Sequence, residues 1–113
     1  IMAFKPNKNA LSPGDATDQI RMLANDDFVT VHRTEHFKER LSERDLLISD
    51  ATHALKNGFV RDNPEQSTQP NLWKYKIESK TPNSGNREIG IVIIPDFGKL
   101  AYKLITIYWV DEK

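Results

Sequence analysis

Cysteine is missing altogether, so neither a disulfide framework nor a thiolate metal site can be built. Histidine is scarce: His32, His36 and His53 are the only three, and none is spaced as in an HExxH helix. Metal chemistry is therefore set aside, and the expectation is a protein with no metal and no cofactor. No apolar run approaches the roughly 20 residues of a membrane span, and no basic-then-apolar leader opens the chain. A cytoplasmic protein without membrane contact is expected. An excess of charge is lacking too, because Lys+Arg 16 cancels Asp+Glu 16. Neutrality argues against a protein that coats nucleic acid indiscriminately, but not against one that grips a few phosphates in a cleft. Also absent are internal repeats, a glycine-rich phosphate loop, a nucleophile elbow and a carboxylate dyad in an apolar setting.

What remains is a chain of 113 residues, 38% hydrophobic and 28% charged, about the modal size of one domain. Residues 1–11 lack periodicity and read as a tail, leaving 12–113 as one domain. Ser12-Pro13-Gly14-Asp15 is a helix start, with Ser12 as cap, and Ala16, Ile20, Leu23 and Ala24 continue it at helical spacing to about Asn25. Phe28 to His32 is a short β-prone run. Thr34 caps a second helix to about Asp45, and Ser49-Asp50 a third that stops at Gly58. Residues 63–71, rich in Pro, Gln, Asn and Ser, form the longest loop. Beyond it, Trp73, Tyr75 and Ile77 alternate with Lys74, Lys76 and Glu78, as a half-buried strand does. Arg87 to Ile94 and Leu100 to Trp109 are two further strands, joined by a turn at Pro95-Asp96-Phe97-Gly98. The order implies an α+β fold: N-terminal helices packed on a mainly antiparallel sheet of about four strands. Bulky residues at both parities of the last two strands suggest that both sheet faces are covered at the centre.

The stretch His36 to Arg44 carries the sharpest chemistry. As a helix it sets His36, Arg40 and Arg44 along one ridge, with the arginines within about 60° of Phe37, on the side that meets the core. An imidazole titrating near neutrality can move a proton, and a guanidinium one turn on can hold a phosphate through two bonds. The plainer reading is that Arg40 pairs with Glu43 or Glu39 and that Arg44 complements the helix end. Lys74 and Lys76 point one way and can form a cationic strip, or simply a solvated strand face. Thr106 and Tyr108 share a face of the final strand, where their hydroxyls can orient a phosphate or merely pack. Residues 71–113 are mildly cationic, and Lys74, Lys76 and Arg87 are the candidates for binding substrate phosphates.

Thr34-Glu35-His36-Phe37, Glu39-Arg40-Leu41, Glu43-Arg44-Asp45-Leu46 and Ala54-Leu55-Lys56-Asn57-Gly58, with Leu104-Ile105-Thr106-Ile107-Tyr108-Trp109 at the close, resemble the small bacterial proteins of the domain of unknown function 4258 type. In that pattern Leu41 stands where Met is common and Asp45-Leu46 where Gly-Ile is common. The resemblance covers about residues 28–110 and implies a relationship to RelE-like toxins, in the barnase, EndoU, colicin and RelE superfold. It implies a small metal-independent endoribonuclease, toxin-like, or an inactive descendant that binds RNA or protein on the same fold. Carried over by position, His36, Arg40 and Arg44 would be the helix-borne catalytic groups, and Thr106 and Tyr108 the strand-borne ones. The partners so implied are an RNA substrate and a cognate inhibitor protein.

Overall fold

In the computed structural model, which describes residues 4–112, three helices precede and flank a mixed sheet of six strands. Helix α1 (Pro13–Ala24) starts where Ser12 Oγ accepts the Asp15 N–H at 3.2 Å, with proline in its first turn. Its buried stripe is Ala16, Ile20 and Leu23. Strand β1 (Thr30–Arg33) leads into α2 (Glu35–Glu43), capped by Thr34 Oγ1 accepting the Phe37 N–H at 3.1 Å. Helix α3 (Ile48–Asn57) begins at Leu47, whose N–H donates to the Asp50 carboxylate at 2.8 Å. Strands β2 (Phe59–Val60), β3 (Glu65–Gln66), β4 (Trp73–Ser79), β5 (Ile89–Asp96) and β6 (Ala101–Trp109) follow.

The sheet runs β1-β6-β5-β4-β2, with β3 paired to β4 off that path. The β4-β5-β6 meander is antiparallel, whereas β1 pairs with β6 in parallel. The expected α+β layout and mainly antiparallel sheet are present, but with six strands where about four were expected. The two extra pairings, β2 and β3, are two residues each and too short to leave a periodic signal. The turn expected at Pro95 is also displaced. Strand β5 continues through Pro95 to Asp96, and its ladder to β4 ends at Ile93, so the missing proline N–H leaves no bond of that ladder unmade.

One face of the sheet carries the core. Tyr75 and Ile77 from β4, Ile89, Ile91 and Ile93 from β5, and Tyr102, Leu104 and Ile107 from β6 bury there with α1, α3 and Phe37 of α2. Leu104 and Ile107 are of opposite parity, yet both face inward because a β-bulge shifts the register between Val92 and Ile93, with Ile105 as the extra residue. No helix covers the other face. The expectation of two covered faces is thus corrected: Val92 and Ile94 stay half-exposed among lysine stems and hydroxyl side chains.

The expected tail is tied down where it is described, residues 1–3 lying outside the described residues. Leu11 is buried and its N–H donates to the Tyr75 hydroxyl at 2.9 Å. Asn7 bonds both the Asp96 carboxylate and the Phe97 N–H, and Phe4 stacks on Phe97. Among the described residues no helix is long and apolar enough to cross a membrane.

Candidate functional site on the uncovered sheet face

Register places the strand-borne candidates together. Thr106 lies across Val92 from Lys76, and Tyr108 lies across Gly90 from Glu78, so all belong to the uncovered face. Two rows further along, His32 of β1 pairs with Lys103 of β6, which pairs with Ile94 of β5. Lys74, two residues before Lys76, continues this face on β4. Lys76, Lys103 and His32 make no ion pair or side-chain hydrogen bond among the described residues, and all three are exposed. Lys74 sits 3.9 Å from Glu65, a loose contact.

Two hollows open on this face. One, of about 180 Å³, has His32, Lys99 and Lys103 on its rim over Ile94 and Ala101. The other, of about 300 Å³, lies between Lys74, Lys76 and Val92 on one side and the acidic residues Asp62 and Glu65, the latter in β3, on the other. Beside the second, Tyr108 lays its ring across Gly90, where an added Cβ would come within 2.3 Å of Tyr108 Cζ. Glycine at 90 is what allows that ring to lie flat on the sheet. Burial, the nearby charges of Glu78 and Asp62, and a hydrogen bond to Glu78 push the Tyr108 hydroxyl up to about 12. Its proton is therefore held more tightly than that of an ordinary tyrosine. Glu78 itself accepts from Arg61 at 2.7 Å, and Arg61 also reaches Glu88 at 2.9 Å.

The helix-borne candidates are arranged differently. Arg40 Nη1 is 2.8 Å from Glu43. Arg44 grips Glu112 through two bonds of 2.8 Å, from Nε and Nη2, and lies 3.6 Å from Glu43. The hydrogen bond to Glu112 raises the Arg44 pKa and holds the Glu112 carboxyl below the usual carboxylate range. Glu112 also accepts the Trp109 N–H at 2.7 Å. At its other end α2 is fixed by Thr34 Oγ1, which lies 3.1 Å from both the Leu104 and Ile105 carbonyl oxygens, beside the bulge. Arg44 thus fastens the end of α2 to the turn after β6, while Arg40 stays paired within the helix. His36 is exposed in the first turn of α2 and makes no hydrogen bond or ion pair among the described residues. Neither His36, Arg40 nor Arg44 lines either hollow of the sheet face.

Arg87 is occupied as well. It holds Asp111 at 2.7 Å and stacks over Trp109 at 4.0 Å. Its hydrogen bond to Asp111 raises its own pKa and lowers that of Asp111. Of the sequence candidates, the fold brings together Lys74, Lys76, Thr106 and Tyr108, and leaves His36, Arg40, Arg44 and Arg87 elsewhere. Lys103, His32 and Glu78 join the first group, and sequence reasoning gave them no part. Period-two alternation would have paired Glu78 with Lys76, but Lys103 comes onto this face only through the bulge. Among the described residues no group of three or more His, Cys, Asp or Glu is arranged to hold a metal ion.

A family model described as a domain of unknown function (DUF4258) matches residues 33–109, from the end of β1 to the end of β6. No curated protein and no solved structure matches the chain.

Proposed function

The chain belongs to the family of the domain of unknown function DUF4258, and for this member we propose RNA as the ligand, bound along the uncovered face of the sheet. The observation that carries this reading is that Lys76 and Lys103, with His32 beside them, have no partner among the described residues and stand around half-exposed Val92 and Ile94. Lysines on β4 and β6 are two strands apart, about 10 Å, so they can take different phosphates of one strand of RNA. The flat Tyr108 ring over Gly90 offers a base a stacking surface. The layout, helices on one face of an antiparallel-centred sheet with the other face open, also supports placing the domain near the RelE-like toxins. That likeness is an analogy of fold and assigns no chemistry by itself.

The test is fluorescence anisotropy with a labelled single-stranded oligouridine in EDTA. Lys76→Glu and Lys103→Glu are expected to weaken binding about tenfold each, whereas Arg40→Ala leaves it unchanged. Equal binding by all four proteins would refute the reading.

A second reading, metal-independent cleavage, is favoured by one observation, the Tyr108 and Thr106 hydroxyl side chains sharing one sheet face with Lys76. In that reaction the ribose 2′-oxygen loses its proton and attacks the adjacent phosphorus. The bond from phosphorus to the 5′-oxygen breaks, and Tyr108 gives that oxygen its proton. The products are a 2′,3′-cyclic phosphate and a free 5′-hydroxyl. His36 as the base draws no support from its place, since it lines neither hollow of the face that carries Tyr108. Arg40 and Arg44 as stabilisers of the phosphorane draw no support from their contacts, since both are engaged by carboxylates. Cleavage that persists in EDTA and disappears in Tyr108→Phe and His36→Ala would support an endoribonuclease, toxin-like and in need of an inhibitor protein. RNA bound but left intact identifies a binding module.

A further inference from the structure

Strand β1 ends the sheet, and among the described residues only one of its two hydrogen-bonding edges is used. Thr30 N–H donates to Leu100 O at 2.9 Å and Thr34 N–H to Leu104 O at 3.2 Å, so the even-numbered residues turn their main-chain groups to β6. By alternation, the N–H and C=O of Val31 and Arg33 point outward, and they have no partner among the described residues. Beside this free edge, between β1 and one face of α3, lies a hollow of about 230 Å³ walled by Val31, Ile48, Leu55, Tyr102 and Leu104, with Arg33 at its mouth. Val31 and Ile48 remain 37% and 40% exposed. An adjoining hollow shares Val31, Arg33 and Ile48 and adds His32 and Lys38. Among the described residues no carboxylate lines either hollow, and of the two cations Arg33 and Lys38 only Lys38 has an acidic neighbour, Glu35 at 3.3 Å.

A free strand edge, an apolar slot beside it and a basic rim are complementary to one kind of ligand. We propose that β1 is a docking strand for an extended acidic peptide of a partner protein. The peptide adds to the sheet beside β1, exchanging main-chain hydrogen bonds with Val31 and Arg33. Its alternate apolar side chains enter the slot between β1 and α3, and its carboxylates meet His32, Arg33 and Lys38. The inference rests on the free edge, the slot and Arg33, and shares only His32 with the RNA-binding face.

The probe is a labelled peptide of alternating glutamate and valine, with a lysine–valine peptide of equal length as control. The acidic peptide is expected to bind about tenfold more tightly than the basic one. Amide exchange at Val31 and Arg33 should slow on binding. Val31→Pro removes an outward N–H without touching the β6 ladder, and is expected to abolish binding while circular dichroism stays native. Arg33→Glu, which removes no main-chain group, should reverse the preference between the two peptides. Equal affinity for both peptides, or unaltered exchange at Val31 and Arg33, would overturn the proposal. So would a stable dimer by light scattering that Val31→Pro dissociates, since the occupant would then be a second copy.

Discussion

Gly90 and Tyr108 are a pair in which one residue's lack of a side chain is the other's resting place. An alanine at 90 must push the ring off the sheet, since its methyl would sit 2.3 Å from Cζ. Gly90→Ala is therefore expected to cost about 1–3 kcal/mol in urea unfolding. Most of that loss should vanish in a Tyr108→Ala background, which a double-mutant cycle can verify. Asp50 is a second such position, only 2% exposed. Burial opposes its ionisation, but hydrogen bonds from Thr81 Oγ1 at 2.6 Å, the Leu47 N–H and Asn83 outweigh that and hold its carboxyl below the usual range. A lowered folded pKa means that stability is fully present above the unfolded value of about 3.9 and is lost as pH falls through the folded value. Asp50→Asn should cost about 1–3 kcal/mol at pH 7 and progressively less in acid, measured by thermal melts across pH 2–7.

Helix α2 illustrates how an element is stopped. Asp45 takes φ 53°, the left-handed conformation, while Leu46 N–H returns to Leu41 O at 3.0 Å and Asp45 N–H to Ser42 O at 3.1 Å. That is a Schellman ending, where glycine fits without a Cβ penalty. The position where the family resemblance has glycine is therefore explained by backbone geometry. Asp45→Gly is expected to stabilise by up to about 1 kcal/mol, and Asp45→Val to destabilise, both read as shifts in Tm. Arg44→Ala, which cuts the fastening to Glu112, should cost about 1–2 kcal/mol and speed amide exchange in the last turn of α2. The helix caps at Ser12 and Thr34 and the alternation of Trp73, Tyr75 and Ile77 were legible in the sequence because each signal is local. What β1 pairs with was not, since its partner lies about seventy residues on. Nor was the sharing of one face by Lys76, Thr106 and Lys103, which depends on a bulge of one residue in β6. The His36–Arg44 ridge was legible as a ridge, but Arg44's partner Glu112 is 68 residues away, and helical spacing carries no trace of it.

For the molecule as a whole, zero net charge and a set of free cations on one face predict a modest dependence of RNA binding on salt. With two or three phosphates engaged, the logarithm of affinity should fall against the logarithm of salt with a slope of about −1.4 to −2.1. Lys103→Glu should flatten that slope by about 0.7. The parallel union of β1 with β6 has a consequence for biosynthesis. Residues 30–33 leave the ribosome about seventy residues ahead of their ladder partners, residues 101–104. Until then Phe37 and α2 have no β6 to rest against, and the nascent chain must carry β1 unmatched while those seventy residues are made. Closure of the sheet then waits for β6, the strand that locks β1 to the meander.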